Sequence, residues 1–309
     1  MVNGAKDRIC LVTLINFDVS TLLILAGGLG SRYRGGKQTS AVGPNGEYIM
    51  EYAIYDAVNN GFDTIIVLSS TALIPGLKQK FAYLYGYVSL HFVDQYEHDL
   101  NYPNYRKKPW GTAHAVWACR KEIKGQFLVL NADDFYGDET FKIARNIFKE
   151  SKAPQFGLIT FFLKNTLPSS GGVSRGLCEI NQNRLVSVFE HTNIISFQNK
   201  ITSNESITSL DQDAQVSMNC WILHSNIFFD LGSYFKQFHS KFSKDTLVEC
   251  GLPSFIQSQI QNGQQYEVYR NESKWFGLTH PDDFEWCKQE LKRRVEEGRY
   301  PKILLNNYE

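Results

Sequence analysis

No apolar run in this chain approaches the ~20 residues that a membrane-spanning helix needs. The chain also lacks a C-x-x-C pair, a net charge and an internal repeat. Its 32 basic and 32 acidic residues cancel. The broad positive field that holds a protein on nucleic acid or an anionic membrane is therefore missing, and any anion binding must be local. The six cysteines (Cys10, Cys119, Cys178, Cys220, Cys250 and Cys287) stand far apart, which argues against a zinc site or a dithiol motif. Several fall in apolar segments, as small buried hydrophobes do, and this usage fits a reducing cytoplasm. Lys6 and Arg8 precede an apolar stretch as in a signal peptide. Asn16 and Asp18 break that stretch, and no small-residue cleavage site follows. Residues 1–19 read as an extension, and residues 20–309 as a single domain. Its parts are 20–150, 151–285, and a C-terminal helix and tail over 286–309.

With 309 residues and 43% apolar composition, the chain can build a large core. From residue 21 onward strands and helices alternate, the pattern of a mostly parallel, Rossmann-like sheet with crossover helices. Strands are expected at 21–25, 64–68, 90–93 and 126–131, and helices from Ile49 to the Gly61 stop and over 112–123 and 139–150. After about residue 155 the segments 157–163, 177–180, 185–189 and 216–223 run apolar or alternate between polar turns. They predict a more antiparallel section laid over the sheet, with 203–213 as a loop. Helices at 225–238, 253–261 and 282–297 and a strand at 266–270 complete the reading.

The most informative stretch is 23–38, LILAGGLGSRYRGGKQ. A buried apolar strand ends in Ala26, Gly27, Gly28 and Gly30, followed by Ser31, Arg32 and, five residues on, Lys37. Glycines at a strand's carboxyl end let backbone N–H groups converge on an anion, and Arg and Lys just downstream supply charge-assisted contacts to phosphate. Lys37 is followed by Gln38 rather than Ser or Thr, so this is not the GxxxxGK[ST] loop. No acidic residue ends a second strand about twenty residues on, so it is not the dinucleotide fingerprint either. A triphosphate is the expected ligand.

A second apolar strand, 128–130, runs through Asn131 and Ala132 into Asp133 and Asp134. At the carboxyl edge of a parallel sheet such carboxylates can hold Mg²⁺ together with phosphate oxygens. Gly111 and Thr112 open a helix, where a bare backbone can approach a flat ring and a hydroxyl can cap the helix or bond a base edge. The run Arg106-Lys107-Lys108 just before them reads as a solvated charged stretch.

The first stretch resembles L-A-G-G-x-G-[ST]-R followed by lysine, the signature of the nucleotidyltransferases that activate sugar phosphates. The resemblance extends over residues 21 to about 285 and implies a GT-A-like fold of the nucleotide-diphospho-sugar transferase type, with 20–150 as the nucleotide-binding part and 151–285 as the sugar-phosphate-binding part. Gly111-Thr112-Ala113-His114-Ala115 is also found in N-acetylglucosamine-1-phosphate uridylyltransferases, where Gly and Thr contact uracil. Arg175-Gly176-Leu177, Glu190-His191 and Met218-Asn219 resemble their sugar-site elements, so Gly176, Glu190 and Asn219 are implied to bind the sugar. Two departures stand out. Thr192 occupies the place of a frequent lysine. In the segment 275–283, similar to W-x-D-x-G-T-P-x-D, Gly277 occupies the place of the second metal-binding aspartate, so Asp133 would hold the metal with water and phosphates, or Asp134 or Asp282 would substitute.

The resemblance implies an enzyme that condenses an NTP with a sugar 1-phosphate, releasing pyrophosphate by Mg²⁺-assisted in-line attack on the α-phosphate. UTP is the indicated nucleotide, with dTTP or CTP behind it. Arg32, Lys37 and Asp133 are the catalytic candidates. A cytidylyltransferase for phosphocholine or another alcohol phosphate is the nearest alternative. A non-catalytic nucleotide-binding regulatory protein is the alternative of another class, supported by the missing aspartate at 277.

Overall fold

A computed structural model of the chain describes residues 20–28, 37–96, 106, 108–151, 153–168, 171–198, 200–278 and 283–304, with the side chain of Lys37 outside this set. Of the expected site residues, Gly30, Ser31 and Arg32 lie outside the described residues, as do Asp282 and the extension 1–19.

The first half alternates as its sequence pattern predicts. Strand β1 (Thr21–Ala26) is followed by helix α1 (Ile49–Asn59), β2 (Thr64–Ser69), α2 (Ile74–Lys80), β3 (Ser89–Asp94), α3 (Thr112–Ala118), β4 (Gln126–Asn131), β5 (Asp134–Phe135) and α4 (Asp138–Glu150). β1 pairs parallel with β2 on one side and β4 on the other, and β3 lies parallel beyond β2. Side chains in a strand alternate between faces, and both faces here are covered. Leu22, Ile24, Leu128 and Leu130 pack under Met50, Ile54 and Phe141 of α1 and α4. Leu23, Leu25, Phe127 and Val129 pack under Val116 of α3 on the opposite face. Burial on both sides explains why these strands read as continuous apolar runs.

The second half consists of β6 (Gly157–Phe162), β7 (Val173–Asn181), β8 (Arg184–Phe197), β9 (Lys200–Thr202), β10 (Gln215–His224), α5 (Phe228–Phe242), α6 (Leu252–Gln261), β11 (Glu267–Asn271), β12 (Phe276–Gly277) and α7 (Asp283–Glu296). The expected antiparallel section is not laid over the sheet but continues it. β10 runs antiparallel between β4 and β6, and the order goes on through β11, β8 and β7. β10 changes register between Ser217 and Trp221, and ahead of that break it also pairs with β7. A bulge bends a strand and increases its twist, so β10 can serve two sets of neighbours and close β10, β6, β11, β8 and β7 into a ring. The expected helix over 112–123 ends at Ala118 and finishes in a 3₁₀ turn, Cys119–Lys121.

A smaller third core seals the carboxyl end of the chain against the sheet edge. Phe135 and Phe276 stack with centroids 4.5 Å apart, and Leu278, Cys287, Leu291 and Tyr300 join Ile49 and Tyr52 around them. Cys119, Cys178, Cys220, Cys250 and Cys287 are free thiols. Burial pushes the Cys178 and Cys250 thiols up to about 12, so they act as packing groups rather than nucleophiles.

Candidate functional site

Two cavities open beyond the carboxyl ends of β1 and β4, the position at which open α/β sheets bind ligands. The smaller, about 310 Å³, is lined by Gly27, Gly28, Gln38, Gln95, Gly111, Thr112 and Asp133, among others. The larger, about 750 Å³, is lined by Asp134, Arg175, Gly176, Glu190, Ser217 and Asn219 with their neighbours. Asn131 and Asn219 border both. The structure therefore gathers Gly27, Gly28, Gly111, Thr112 and Asp133 around one cavity and Gly176, Glu190 and Asn219 around the other. Ala26 is buried at the end of β1. Lys37 begins a short 3₁₀ turn, Lys37–Thr39, after the loop.

In the smaller cavity the glycine carbonyls are held by two side chains that sequence reasoning missed. Gln38 donates to Gly28 O at 2.8 Å and Gln95 donates to Gly27 O at 3.1 Å. A Cβ at Gly27 would collide with the Gln95 amide, so the close approach needs glycine. Gly111 has φ +104°, and a Cβ there would lie 2.5 Å from Cys250 O. Its bare backbone is required by packing against the backbone of Cys250. Thr112 Oγ1 accepts the Leu252 N–H at 2.8 Å, satisfying one of the orphan donors at the start of α6, and its own hydroxyl proton is left to donate. Arg106 stacks on Trp110 at 3.7 Å and donates to Val248 O at 2.6 Å, while Lys108 pairs with Glu249 at 2.9 Å. These two positions of the expected solvated charge run therefore brace the segment that carries Gly111.

Asp133 and Asp134 are consecutive, and they serve different cavities. Asp134 begins β5, which pairs antiparallel with β12 so that Gly277 stands opposite Asp134. A Cβ at Gly277 would collide with Asp134 Oδ1. The carboxylate of Asp134 thus occupies the cradle that a side chain at 277 would fill. Leu278 N–H donates to Asp133 O at 3.0 Å, fixing the same junction from the other side. Two carboxylates on one turn, with a cavity on either side, suit a hard divalent cation that keeps part of its water shell.

Between the cavities runs a line of side-chain hydrogen bonds. Trp221 Nε1 donates to Asn219 Oδ1 at 2.9 Å, Asn219 Nδ2 to Asn131 Oδ1 at 3.2 Å, and Asn131 Nδ2 to Asp134 Oδ2 at 2.9 Å. Asn219 sits at φ +62°, in the irregular stretch of β10. Tyr136 OH lies 2.9 Å from Met218 O and 3.3 Å from Asp134 Oδ2, tying the bulge to the carboxylate. Gly176 stands opposite Glu190 in the β7–β8 pair, and a Cβ there would come within 2.6 Å of Val188 Cγ1. Sequence reasoning missed both Asn131 and Trp221 as site residues. Asn131 could have been found by its place at a strand end two residues before Asp133, whereas Trp221 reads as one more apolar residue of β10.

Arg175 lies in the wall of the larger cavity, only 7% exposed. Its guanidinium stacks over Trp275 at 4.8 Å. Burial lowers it to about 10, while the charges of Asp134 and Asp283 oppose that shift. Thr192 is turned to Glu205, which accepts from the Thr192 N–H at 2.7 Å and from its hydroxyl at 2.6 Å.

No helix among the described residues is long and apolar enough to cross a membrane. No curated protein sequence matches the chain. Solved structures do, at low identity. The inositol-1-phosphate CTP transferase from T. maritima superposes with a TM-score of 0.60 at 16% identity, covering 90% of this chain and 96% of that one. A putative glucose-1-phosphate thymidylyltransferase from Bacillus anthracis gives 0.59 at 13%, covering 88% and 95%. The CTP:phosphocholine cytidylyltransferase from Streptococcus pneumoniae gives 0.56 at 14%, covering 88% and 99%. These likenesses establish the fold. The family model described as nucleotidyl transferase matches residues 21–284, and the chain therefore belongs to the nucleotidyl transferase family and is an enzyme of that kind.

Proposed function

We propose that the enzyme condenses a pyrimidine NTP, UTP first, with a sugar 1-phosphate, giving a nucleotide-sugar and pyrophosphate. The observation that carries this reading is the pair of cavities meeting at Asn131 and Asn219, with Asp133 on one side and Asp134 on the other. Two substrates bound there would bring an acceptor phosphate up to an α-phosphate beside two carboxylates. In this reading residues 20–150 bind the nucleotide and 151–285 the acceptor.

The acceptor phosphate is already a competent nucleophile at neutral pH, so the protein's task is positioning and charge neutralisation rather than proton abstraction. Ala26, Gly27, Gly28, Gly30 and Ser31 would cradle the triphosphate. Arg32 would neutralise the departing pyrophosphate, and Lys37 the α-phosphate or the incoming phosphate. Gly111 and Thr112 would face the base, Thr112 donating its hydroxyl proton to a carbonyl on the pyrimidine edge. Gly176, Glu190 and Asn219 would hold the sugar hydroxyls. Asp133 would hold Mg²⁺ with Asp134 in place of the aspartate missing at 277; the metal would supply charge neutralisation between the two phosphates.

A second reading, a cytidylyltransferase for an alcohol phosphate, is favoured by the breadth of the larger cavity and by relatives that act on CTP with inositol 1-phosphate or phosphocholine. Pyrophosphate release across a matrix of UTP, CTP, dTTP, GTP and ATP against glucose 1-phosphate, N-acetylglucosamine 1-phosphate, inositol 1-phosphate and phosphocholine decides between the two. Turnover with an unphosphorylated sugar, or with none of the acceptors, would overturn both.

A further inference from the structure

The lysine that the family often places at 192 is threonine here, and Thr192 spends both its N–H and its hydroxyl on Glu205. The acceptor cavity must still bind a dianion. Among the described residues lining it, Asp134 and Glu190 are negative and Arg175 alone is positive.

Arg175 is held in a way that leaves it able to bind. Nε donates to Thr166 Oγ1 at 3.2 Å, Nη1 to Ser174 O at 2.8 Å and Nη2 to Thr166 O at 2.5 Å. A guanidinium carries five N–H donors. One N–H on each of the two terminal nitrogens is therefore left without a protein partner among the described residues. All three acceptors it uses are neutral oxygens. The charges of Asp134 and Asp283 partly offset the burial of this cation, but its two unspent donors are still costly to bury, and two donors on one rigid plane match two oxygens of a phosphate. Trp275 holds the plane from behind, so little rotamer entropy is lost when a ligand arrives.

Resting on the function proposed above, we infer that Arg175 anchors the phosphate of the acceptor, a monoester of a sugar or other polyol, and so replaces the lysine absent at 192. The cation has moved from β8 to the facing strand β7, where Arg175 stands opposite His191. With a metal held at Asp134, Arg175 would be the positive end of the acceptor cavity and Glu190 its hydroxyl-binding end. The phosphate is thereby held on the Asp134 side, toward the nucleotide. An acceptor whose phosphate and first hydroxyl are both recognised is favoured over a bare phosphate.

The test uses the full chain and the best acceptor from the matrix above, comparing wild type with Arg175→Gln and Arg175→Lys. Arg175→Gln is expected to raise the acceptor KM at least 30-fold while the NTP KM stays within twofold. Arg175→Lys, keeping the charge but losing the fork, is expected to fall between. A merely structural role would not move one substrate's KM alone. An unchanged acceptor KM in folded Arg175→Gln, or an equal rise in both KM values, overturns the inference while leaving the function standing. If Arg175→Gln fails to fold, Arg175→Lys decides by the same criterion. Absence of pyrophosphate release in wild type with every pair overturns the function itself, and the inference with it.

Discussion

The indole Nε1 of Trp221 donates to Asn219 Oδ1 at 2.9 Å, and that bond sets the polarity of the side chains between the two cavities. An indole N–H only donates, so Asn219 presents its oxygen there and its Nδ2 to Asn131. Asn131 in turn is left to donate to the Asp134 carboxylate, which only accepts. Both amides are locked in one orientation, each with one N–H left over at the border of the cavities. Replacing Trp221 by Phe should therefore do more than weaken the core. We expect a loss of about 1–3 kcal/mol of stability from the bond and the smaller ring, and a several-fold rise in acceptor KM as Asn219 loses its fixed orientation. Asn219→Ala combined with Trp221→Phe should be less than additive in KM; full additivity would separate the two residues.

Removing either carboxylate should separate chemistry from folding. Asp133→Asn and Asp134→Asn are each expected to lower kcat by orders of magnitude with little change in Tm, and EDTA should abolish turnover. Mn²⁺ titration followed by electron paramagnetic resonance should show weaker binding in both variants. The double change Asp134→Gly with Gly277→Asp should recover Mn²⁺ binding lost in Asp134→Asn, because the two positions share one space. Wild-type Mn²⁺ affinity in Asp134→Asn would leave Asp133 as the sole protein ligand.

Gly111 tolerates no side chain. At φ +104°, with Cys250 O within 2.5 Å of any added Cβ, Gly111→Ala should cost at least about 1–3 kcal/mol from backbone strain alone. Denaturant unfolding measures that loss, and the NTP KM should rise with it because Gly111 and Thr112 line the same cavity.

Base choice tests the role of Thr112. We expect UTP to exceed GTP and ATP in kcat/KM by on the order of 10²-fold or more, because a mismatched base leaves buried groups unpaired. Thr112→Ser should preserve that ratio. Thr112→Val should narrow it, and should also cost about 1 kcal/mol because Leu252 N–H loses its acceptor. Equal or better use of GTP by wild type would sink the pyrimidine assignment.

Stability should depend on Glu51. Burial pushes its carboxyl up to about 7, opposed by the Tyr48 N–H bond and by Lys80 at 3.3 Å. The unfolded chain loses this proton near pH 4.5, so between 4.5 and 7 the folded state holds one proton more. Stability from this group then falls as pH rises through that window, by at most about 1.4 kcal/mol per pH unit. Glu51→Gln should flatten this part of the Tm–pH curve, because the amide oxygen can still accept from Tyr48. An unchanged curve in Glu51→Gln would assign the dependence to other groups.

How much the sequence disclosed depended on the kind of signal. β1, β2 and β4 are legible because burial on both faces requires unbroken apolar runs, and α4 because its apolar residues recur at helical spacing. Helix α2 escaped the reading because Pro75 and Gly76 lie inside it, and both weigh against a helix. β8 was read only to residue 189 because its continuation through His191-Thr192-Asn193 is polar, yet pairing with β7 and β9 carries it to Phe197. Backbone pairing, rather than side-chain pattern, decides that end.

The sequence by itself determined the glycine-rich stretch after β1, the carboxylates after β4 and the family to which the chain belongs, because a family signature consists of particular residue types at short spacings. The tertiary structure alone decided what depends on distant segments meeting. A two-residue pair of strands brings Gly277 opposite Asp134, so a carboxylate fills the place left vacant by glycine. The bulge in β10 brings Asn219 to Asn131, and the β7–β8 hairpin sets Arg175 over Trp275. None of these juxtapositions leaves a local pattern in the chain, since each is fixed by strand register and by burial between residues 88 to 143 positions apart.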